Sequence, residues 1–226
     1  MMCKRIFPFT FVVSIILLEF FSHQAIAHKI WIQAEDYEKI KGNMAKGSDV
    51  GITDDEALGD FILPTSSCKP GDNPEWYVQY TVDIPEEGTW IFWGRFRHPD
   101  GGGNSFCLDK TGKGPNPGDP RLCNSVVQGK EWCWDNNSSP DENVPPGNGQ
   151  DRIELQLKKG KFTFRVYARE APGDIQNNPR MDIILLTDEP DYTPTVEDAE
   201  AGLKAEAVLY QSGKLATTWG SLKEAY

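Results

Sequence analysis

The stretch Thr89-Trp90-Ile91-Phe92-Trp93-Gly94-Arg95-Phe96-Arg97 decides how this chain is read. It is dense in aromatic and β-branched residues and is preceded by the turn Pro85-Glu86-Glu87-Gly88, so it reads as a strand. Strand side chains alternate in direction. Trp90, Phe92 and Phe96 therefore share one face, and Ile91, Trp93, Arg95 and Arg97 share the other. The first face belongs in a core, and the second is expected to face outward. Working outward, Trp76–Ile84 reads as the preceding strand and Asn104–Asp109 as a following one. Arg152–Leu157 places Ile153, Leu155 and Leu157 on one face; after the turn Lys159-Gly160-Lys161, Phe162, Phe164 and Val166 alternate with Thr163, Arg165 and Tyr167. Ile30–Glu35 reads as a first strand. Met181–Thr187 is a nearly unbroken apolar run that suits a strand buried on both faces. Many short strands between Gly/Pro/Asn/Asp-rich loops at 98–103, 110–129, 135–150 and 170–180 predict an all-β sandwich or barrel with long loops.

The ends of the chain read differently. Lys4 and Arg5, an apolar run over 6–18 and the small-x-small triplet Ala25-Ile26-Ala27 have the form of a secretory signal peptide, cleaved before His28. The run is shorter than the roughly 20 residues of a membrane-spanning helix, so no membrane span is expected after cleavage. The product is expected to be secreted, periplasmic or displayed at the cell surface. Thr195 with Asp198 in the capping-box position predicts a short helix from Val196 to Tyr210, at the start of a C-terminal tail over 196–226. The sandwich then occupies 28–195. A net charge of −11 excludes nucleic acid as the natural partner and suits an exposed, solvated surface. Cys68, Cys107, Cys123 and Cys133 remain after cleavage; an even number in an exported chain favours two disulfides, with free buried thiols as the alternative and three connectivities open. Their spacing lacks the tight pairs of a zinc site.

Four local patterns, IQAEDY at 32–37, IPEEGTWIFWGRFR at 84–97 with NSFCL at 104–108, WCW at 132–134, and LQLKKGKFTFRVYARE at 155–170 with MDIILLTDEPDYTPT at 181–195, together resemble carbohydrate-binding module families 6 and 35. The resemblance spans about 30–195. It implies a galactose-binding-like (jelly-roll) β-sandwich and a carbohydrate partner, a polysaccharide or glycan. It also implies a structural Ca²⁺ that clips the first strand to the last, with Gln33, Glu35 and Asp182 at the ligand positions and backbone carbonyls from about 43–55 completing the shell. Gln33 departs from the family pattern, since an amide stands where a carboxylate is usual.

Sugar sites combine flat aromatic rings with planar polar groups that bind hydroxyls in pairs. Trp93, Arg95 and Arg97 on the outward face, Trp132 and Trp134 flanking Cys133, and Asn177 and Asn178 with Glu170 and Asp174 before the last strand are the ligand-binding residues expected. The competing reading of each ring is packing, and of each arginine, pairing with an acidic neighbour. His28 and His98 are the only histidines after the leader, and no nucleophile elbow, zinc helix or phosphate loop occurs, so catalysis is not expected. The alternative to glycan binding is a structural or adhesion sandwich that contacts other cell-surface or exported proteins.

Overall fold

The computed structural model describes residues 27–69, 75–99, 105–111, 121–122, 131–136 and 152–207. The leader, most of the loops at 98–103, 110–129 and 135–150, Cys123 and the tail beyond 207 lie outside the described residues.

Twelve strands form two antiparallel sheets. They are β1 (Lys29–Gln33), β2 (Lys39–Lys41), β3 (Met44–Lys46), β4 (Ile62–Pro64), β5 (Tyr77–Ile84) and β6 (Gly88–Arg97), then β7 (Ser105–Asp109), β8 (Arg121–Leu122), β9 (Cys133–Asp135), β10 (Glu154–Leu157), β11 (Gly160–Glu170) and β12 (Arg180–Thr187). The seven-stranded sheet runs β10-β6-β12-β4-β3, with β1 also paired to β12 and β9 also paired to β6. The five-stranded sheet runs β2-β5-β11-β7-β8. This is the sandwich expected from the alternation of the long strands.

The core lies between the sheets. Trp90, Phe92 and Phe96 of β6 meet Tyr80, Phe106, Phe164 and Val166 of the opposite sheet, all essentially inaccessible. Phe92 meets Phe164 edge-on with centroids 6.0 Å apart, and Tyr80 stacks on Phe164 at 5.2 Å. Burying each such side chain contributes about 1.5–3 kcal/mol. The Tyr80 hydroxyl donates to the carbonyl of Ala34 at 2.7 Å, so its one polar atom is satisfied inside the core. Gly94 falls on the same face of β6, and there a Cβ would lie 2.2 Å from the Phe96 ring; the missing side chain is the space that ring fills.

Two strands are composite. β9 pairs with Gly94–Phe96 and β10 with Gly88–Ile91, both along the same edge of β6. Ile153 N donates to Asn136 O at 2.8 Å and closes the base of the excursion between them. Likewise β1 follows β12 from Thr187 down to Ile183, and β4 takes over at Met181. The first strand therefore ends at Gln33, two residues earlier than its sequence suggests, because Ala34 and Glu35 turn the chain towards the second sheet. Every residue of β12 is buried, as its unbroken apolar run implies.

The predicted helix is present over 196–207, here α1. Asp198 N donates to Thr195 Oγ1 at 3.1 Å and Thr195 N to Asp198 Oδ2 at 3.3 Å, the reciprocal cap expected. α1 packs on the outside of the seven-stranded sheet through Ala199 and Leu203. Among the described residues no helix is long and apolar enough to cross a membrane. Cys107 lies on β7, inside its sheet; Cys133 lies on β9, at an edge rather than centrally, with its thiol pushed up to about 11, first by burial and then by Asp135.

His98 follows β6 and is buried, with neither ring nitrogen hydrogen-bonded. Burial holds its pKa down to about 4. The unfolded chain takes up this proton near pH 6.5, so stability held above that pH is lost as pH falls towards 4, by up to about 3 kcal/mol. Denaturant titrations should show wild type losing stability relative to His98→Phe between pH 7 and pH 4. A difference that stays constant over that range would show that the ring is not held neutral.

Candidate functional site

Ile91, Trp93, Arg95 and Arg97 do point away from the main core, but the surface they form is covered. α1 and the segment 50–61 lie across it, and Trp132 and Trp134 at β9 pack onto it from the sheet edge. Trp93 packs with Trp31, Ile183, Leu185, Trp134, Leu58 and α1. Trp31 and Trp134 meet edge-on at 5.9 Å. Trp132 packs instead against Phe61, with centroids 6.0 Å apart, and under Arg95 at 5.1 Å. Trp93, Trp132 and Trp134 thus build two satellite cores rather than an open platform. The physical reason is that a stripe of indoles is itself apolar surface, and the chain buries it with its own segments.

The arginines are used in the same way. Arg95 is only 5% exposed; its Nη1 donates to Asp182 Oδ2, and its Nη2 to the carbonyl of Glu56 at 3.0 Å. Arg97 and Arg180 stand opposite one another across β6 and β12, and both donate to Asp54 Oδ2. That shared carboxylate offsets the repulsion of two like charges in directly opposed positions. Asn178 is fully buried; its Nδ2 donates to Pro64 O at 2.7 Å and its Oδ1 accepts from Gly173 N at 3.0 Å, so it ties the 171–178 loop to β4. Asn177 donates to Asp174 Oδ2 at 2.9 Å within that loop. Glu170 accepts from Ser105 and Arg169. Arg95, Arg97 and Asn178 are therefore structural. Sugar-contact roles read from their residue types do not account for where they lie.

The residues expected to hold Ca²⁺ do converge. β12 carries a bulge between Met181 and Ile183 opposite β6, and Asp182 is the extra residue. Its backbone oxygen accepts from Ala34 N at 2.8 Å, and its Oδ2 accepts from Leu58 N at 2.9 Å as well as from Arg95. Gln33 Nε2 donates to Leu58 O at 3.2 Å, and Glu35 Oε1 accepts from Asp60 N at 2.8 Å. Gly59 has a φ of 115°, and a Cβ there would come within 2.6 Å of both Gln33 and Glu35, so the loop closes over them only as glycine. Burial pushes the Glu35 carboxyl up to about 7 and the Asp182 carboxyl up to about 6. Glu35 Oε2 and Asp182 Oδ1 are buried without a donor. Among the described residues no three His, Cys, Asp or Glu side chains gather to hold a metal. The available set is thus two carboxylates and the Gln33 amide oxygen; the backbone beside them is 57–60, with Leu58 O already accepting from Gln33, rather than the 43–55 expected. The set fits Ca²⁺ with one carboxylate fewer than usual, and with Arg95 already neutralising part of Asp182.

The outer face of the five-stranded sheet carries a different array. Four cross-strand pairs of β5 and β11 run along it: Tyr77 with Tyr167, Gln79 with Arg165, Thr81 with Thr163 and Asp83 with Lys161. Arg165 Nε donates to Gln79 Oε1 at 2.9 Å, and its guanidinium lies 4.4 Å over the Tyr77 ring. The two threonine hydroxyls meet at 2.9 Å, and Glu38 accepts from Thr81 at 2.7 Å. Lys39 and Lys41 of β2 stand beside Gln79 and Tyr77. Tyr77 and Tyr167 are only 5% and 3% exposed, so the surface above them is guanidinium, amide and ammonium rather than bare ring. At the acidic end a groove of about 570 Å³ is lined by Asp36, Glu38, Thr81, Asp83 and Lys161. The alternation of Thr163, Arg165 and Tyr167 against Phe162 and Phe164 is the sequence signal for this ladder.

No family model and no curated protein matches this chain. Solved structures similar to it include carbohydrate-binding modules. A family 35 module from Clostridium thermocellum is 14% identical, with 70% of this chain and 97% of that one covered and a TM-score of 0.47. The C-terminal family 6 module of a laminarinase from Zobellia galactanivorans is 14% identical, with 71% and 99% covered and a TM-score of 0.44. A module of Cellvibrio mixtus lichenase 5A, solved with cellotriose, is 16% identical, with 70% and 95% covered and a TM-score of 0.43.

Removing Arg95 leaves Asp182 buried with the Leu58 amide as the remaining donor to its carboxylate. Arg95→Met should lower unfolding stability by about 3–5 kcal/mol in a urea titration, and Arg95→Met with Asp182→Leu should recover part of that loss. A single variant within about 1 kcal/mol of wild type would mean that Leu58 and β1 hold Asp182 without the guanidinium.

Proposed function

We propose that this chain is an exported, non-catalytic carbohydrate-binding protein whose glycan lies along the β5–β11 ladder. The observation that carries the reading is the row of cross-strand pairs on the outer face of the five-stranded sheet. Arg165, Gln79, Thr81 and Thr163 offer planar or hydroxyl groups at strand spacing, and such groups bind neighbouring sugar hydroxyls in pairs. Six residues of strand give roughly 20 Å of track at ~3.3 Å per residue, enough for a short oligosaccharide. The sequence resemblance to carbohydrate-binding modules supports the same partner.

The acid–base groups favour binding without bond cleavage. A glycosidase needs one carboxyl held protonated beside a second, ionised one. Glu38, on the ladder, is shifted the other way, below its ordinary range, first by its hydrogen bond from Thr81. Glu35 and Asp182, both pushed up, lie under the Gly59 loop on the other sheet.

In this reading Gln33, Glu35 and Asp182 hold a structural Ca²⁺ that binds the turn after β1 to β12. When bound, the ion supplies positive charge to two buried carboxylates. The residues themselves fix the loop 57–60 and the start of the crossing to the second sheet. The melting temperature should rise with Ca²⁺ over EDTA, by about 2.7 kcal/mol of stability at a hundredfold excess over the dissociation constant. Identical melting in both would remove the ion from the proposal.

The ladder is tested by affinity electrophoresis and calorimetry against soluble xylan, β-glucan, galactan and polyuronate. Arg165→Ala should weaken the best ligand about tenfold or more, since a hydrogen bond from a charged group is worth about 1.5–3 kcal/mol. Folding should be intact, because Arg165 lies on the surface. Wild type that binds none of the four would sink glycan recognition. Release of reducing ends by purified protein would sink the non-catalytic part.

A further inference from the structure

We infer that Trp31, Trp93 and Trp134 form a second glycan-binding surface, which α1 covers and a saccharide displaces; this rests on the carbohydrate reading above. The three indoles come from β1, β6 and β9. Leu185 of β12 is the direct cross-strand partner of both Trp31 and Trp93, so Trp31, Leu185 and Trp93 form one row across three strands. Trp134 closes the patch beside Trp31. Uncovered, the patch is a broad aromatic surface on a rigid sheet, supported from behind by the main core.

Four observations describe the cover as a poor fit for what it covers. First, the Nε1 groups of Trp93 and Trp134 are buried with no acceptor among the described residues. An unpaired buried donor costs about 1–3 kcal/mol, and a sugar hydroxyl would accept from it. Second, among the described residues, no ion pair or hydrogen bond joins residues 199–207 to either sheet; the one ion pair of this segment, Lys204 with Glu200, is internal to α1. Third, contact is made by Ala199, Leu203 and the backbone at Gly202, where a Cβ would lie 2.1 Å from Trp31 Cδ1. Fourth, an open groove of about 440 Å³ runs between Leu203, Lys204 and Ala207 of α1 and Gln33, Leu58 and Gly59. A helix of this length is marginal when undocked. The docked and undocked states are therefore separated mainly by a small apolar contact, against which two unpaired donors count.

The chemistry of the patch selects the ligand. Flat indole faces suit the apolar C–H face of a pyranose, and the two unpaired N–H groups need acceptors, which apolar side chains do not supply. A saccharide satisfies both; a helix of another chain would satisfy only the first.

The test uses the full chain, with soluble xylan and β-glucan as probes. Gly202→Glu should undock α1 by collision with Trp31. Acrylamide quenching of indole fluorescence should rise, and binding of one probe should strengthen about tenfold. Adding Trp93→Ala should abolish the gain, while adding Arg165→Ala should leave the gain intact. In wild type, saturating probe should speed hydrogen exchange of amides 196–207, a readout that needs no variant. Exposed indoles with no gain in binding, a gain that survives Trp93→Ala, dimerisation of Gly202→Glu in place of glycan binding, or unchanged exchange of α1 would each overturn the inference. Should wild type bind through Arg165 and Gly202→Glu add nothing, the covered surface falls and the ladder stands. Absence of glycan binding in every variant would remove both.

Discussion

Asp182 is the point on which the sandwich turns. A carboxylate with no solvent exposure is expensive unless it is paired and hydrogen-bonded. Here the expense is met by a guanidinium from β6, an amide from the 57–60 loop and a bulge that turns the side chain outward beside Ile183. Each of these partners fixes a different part of the fold. Arg95 binds β12 to β6, Leu58 brings in the loop, and the Asp182 carbonyl takes the amide of Ala34 just where β1 leaves the sheet. The handover from β1 to β4 along one edge of β12 happens at this residue. The position therefore decides where the chain crosses from one layer to the other.

From that crossing follows the inequality of the two outer faces. The loop that Asp182 and Gln33 hold lies over the seven-stranded sheet, next to the indoles, and α1 completes the cover. Nothing comparable is described over β5 and β11, where alternate positions carry Thr, Gln, Arg and Lys. A sheet face rich in tryptophan cannot remain bare without becoming adhesive. A face of hydroxyls, amides and charges can. Among the described residues the polar ladder is thus the less covered of the two faces, and the aromatic patch is the one that the chain itself covers.

The sequence disclosed the long strands because their alternation is physical. Trp90, Phe92 and Phe96 could share only one side, and the structure buries that side. It also disclosed the cap of α1 and the meeting of Gln33, Glu35 and Asp182. Alternation gives the direction of a side chain, however, and not what lies above it. Trp93, Arg95 and Arg97 do point outward, yet the segment 50–61, which holds no strand and shows no period to read, folds over them. β2, β3 and β4, each three residues long, were invisible for the same reason. Asn178 looked like a sugar contact by type, but its neighbours Gly173 and Pro64 make it a loop staple, a role set by tertiary partners far apart in the chain.

The charge count around the Gly59 loop carries one further step. Glu35 and Asp182 bring two carboxyls into an enclosed space, and Arg95 brings one positive charge. With Gln33 neutral, the group is one charge short of balance when both carboxyls are ionised. Burial pushes both up, and for Glu35 the neighbouring Asp36 and Asp60 add to it. A glutamate at position 33 would add a third carboxyl and deepen the shortfall. The amide keeps the oxygen donor and lowers the charge, so the loop can close whether the balance is supplied by a proton or by a divalent ion. Gln33 thus ties Leu58 to β1 without adding a charge to a space where Arg95 already pairs with Asp182.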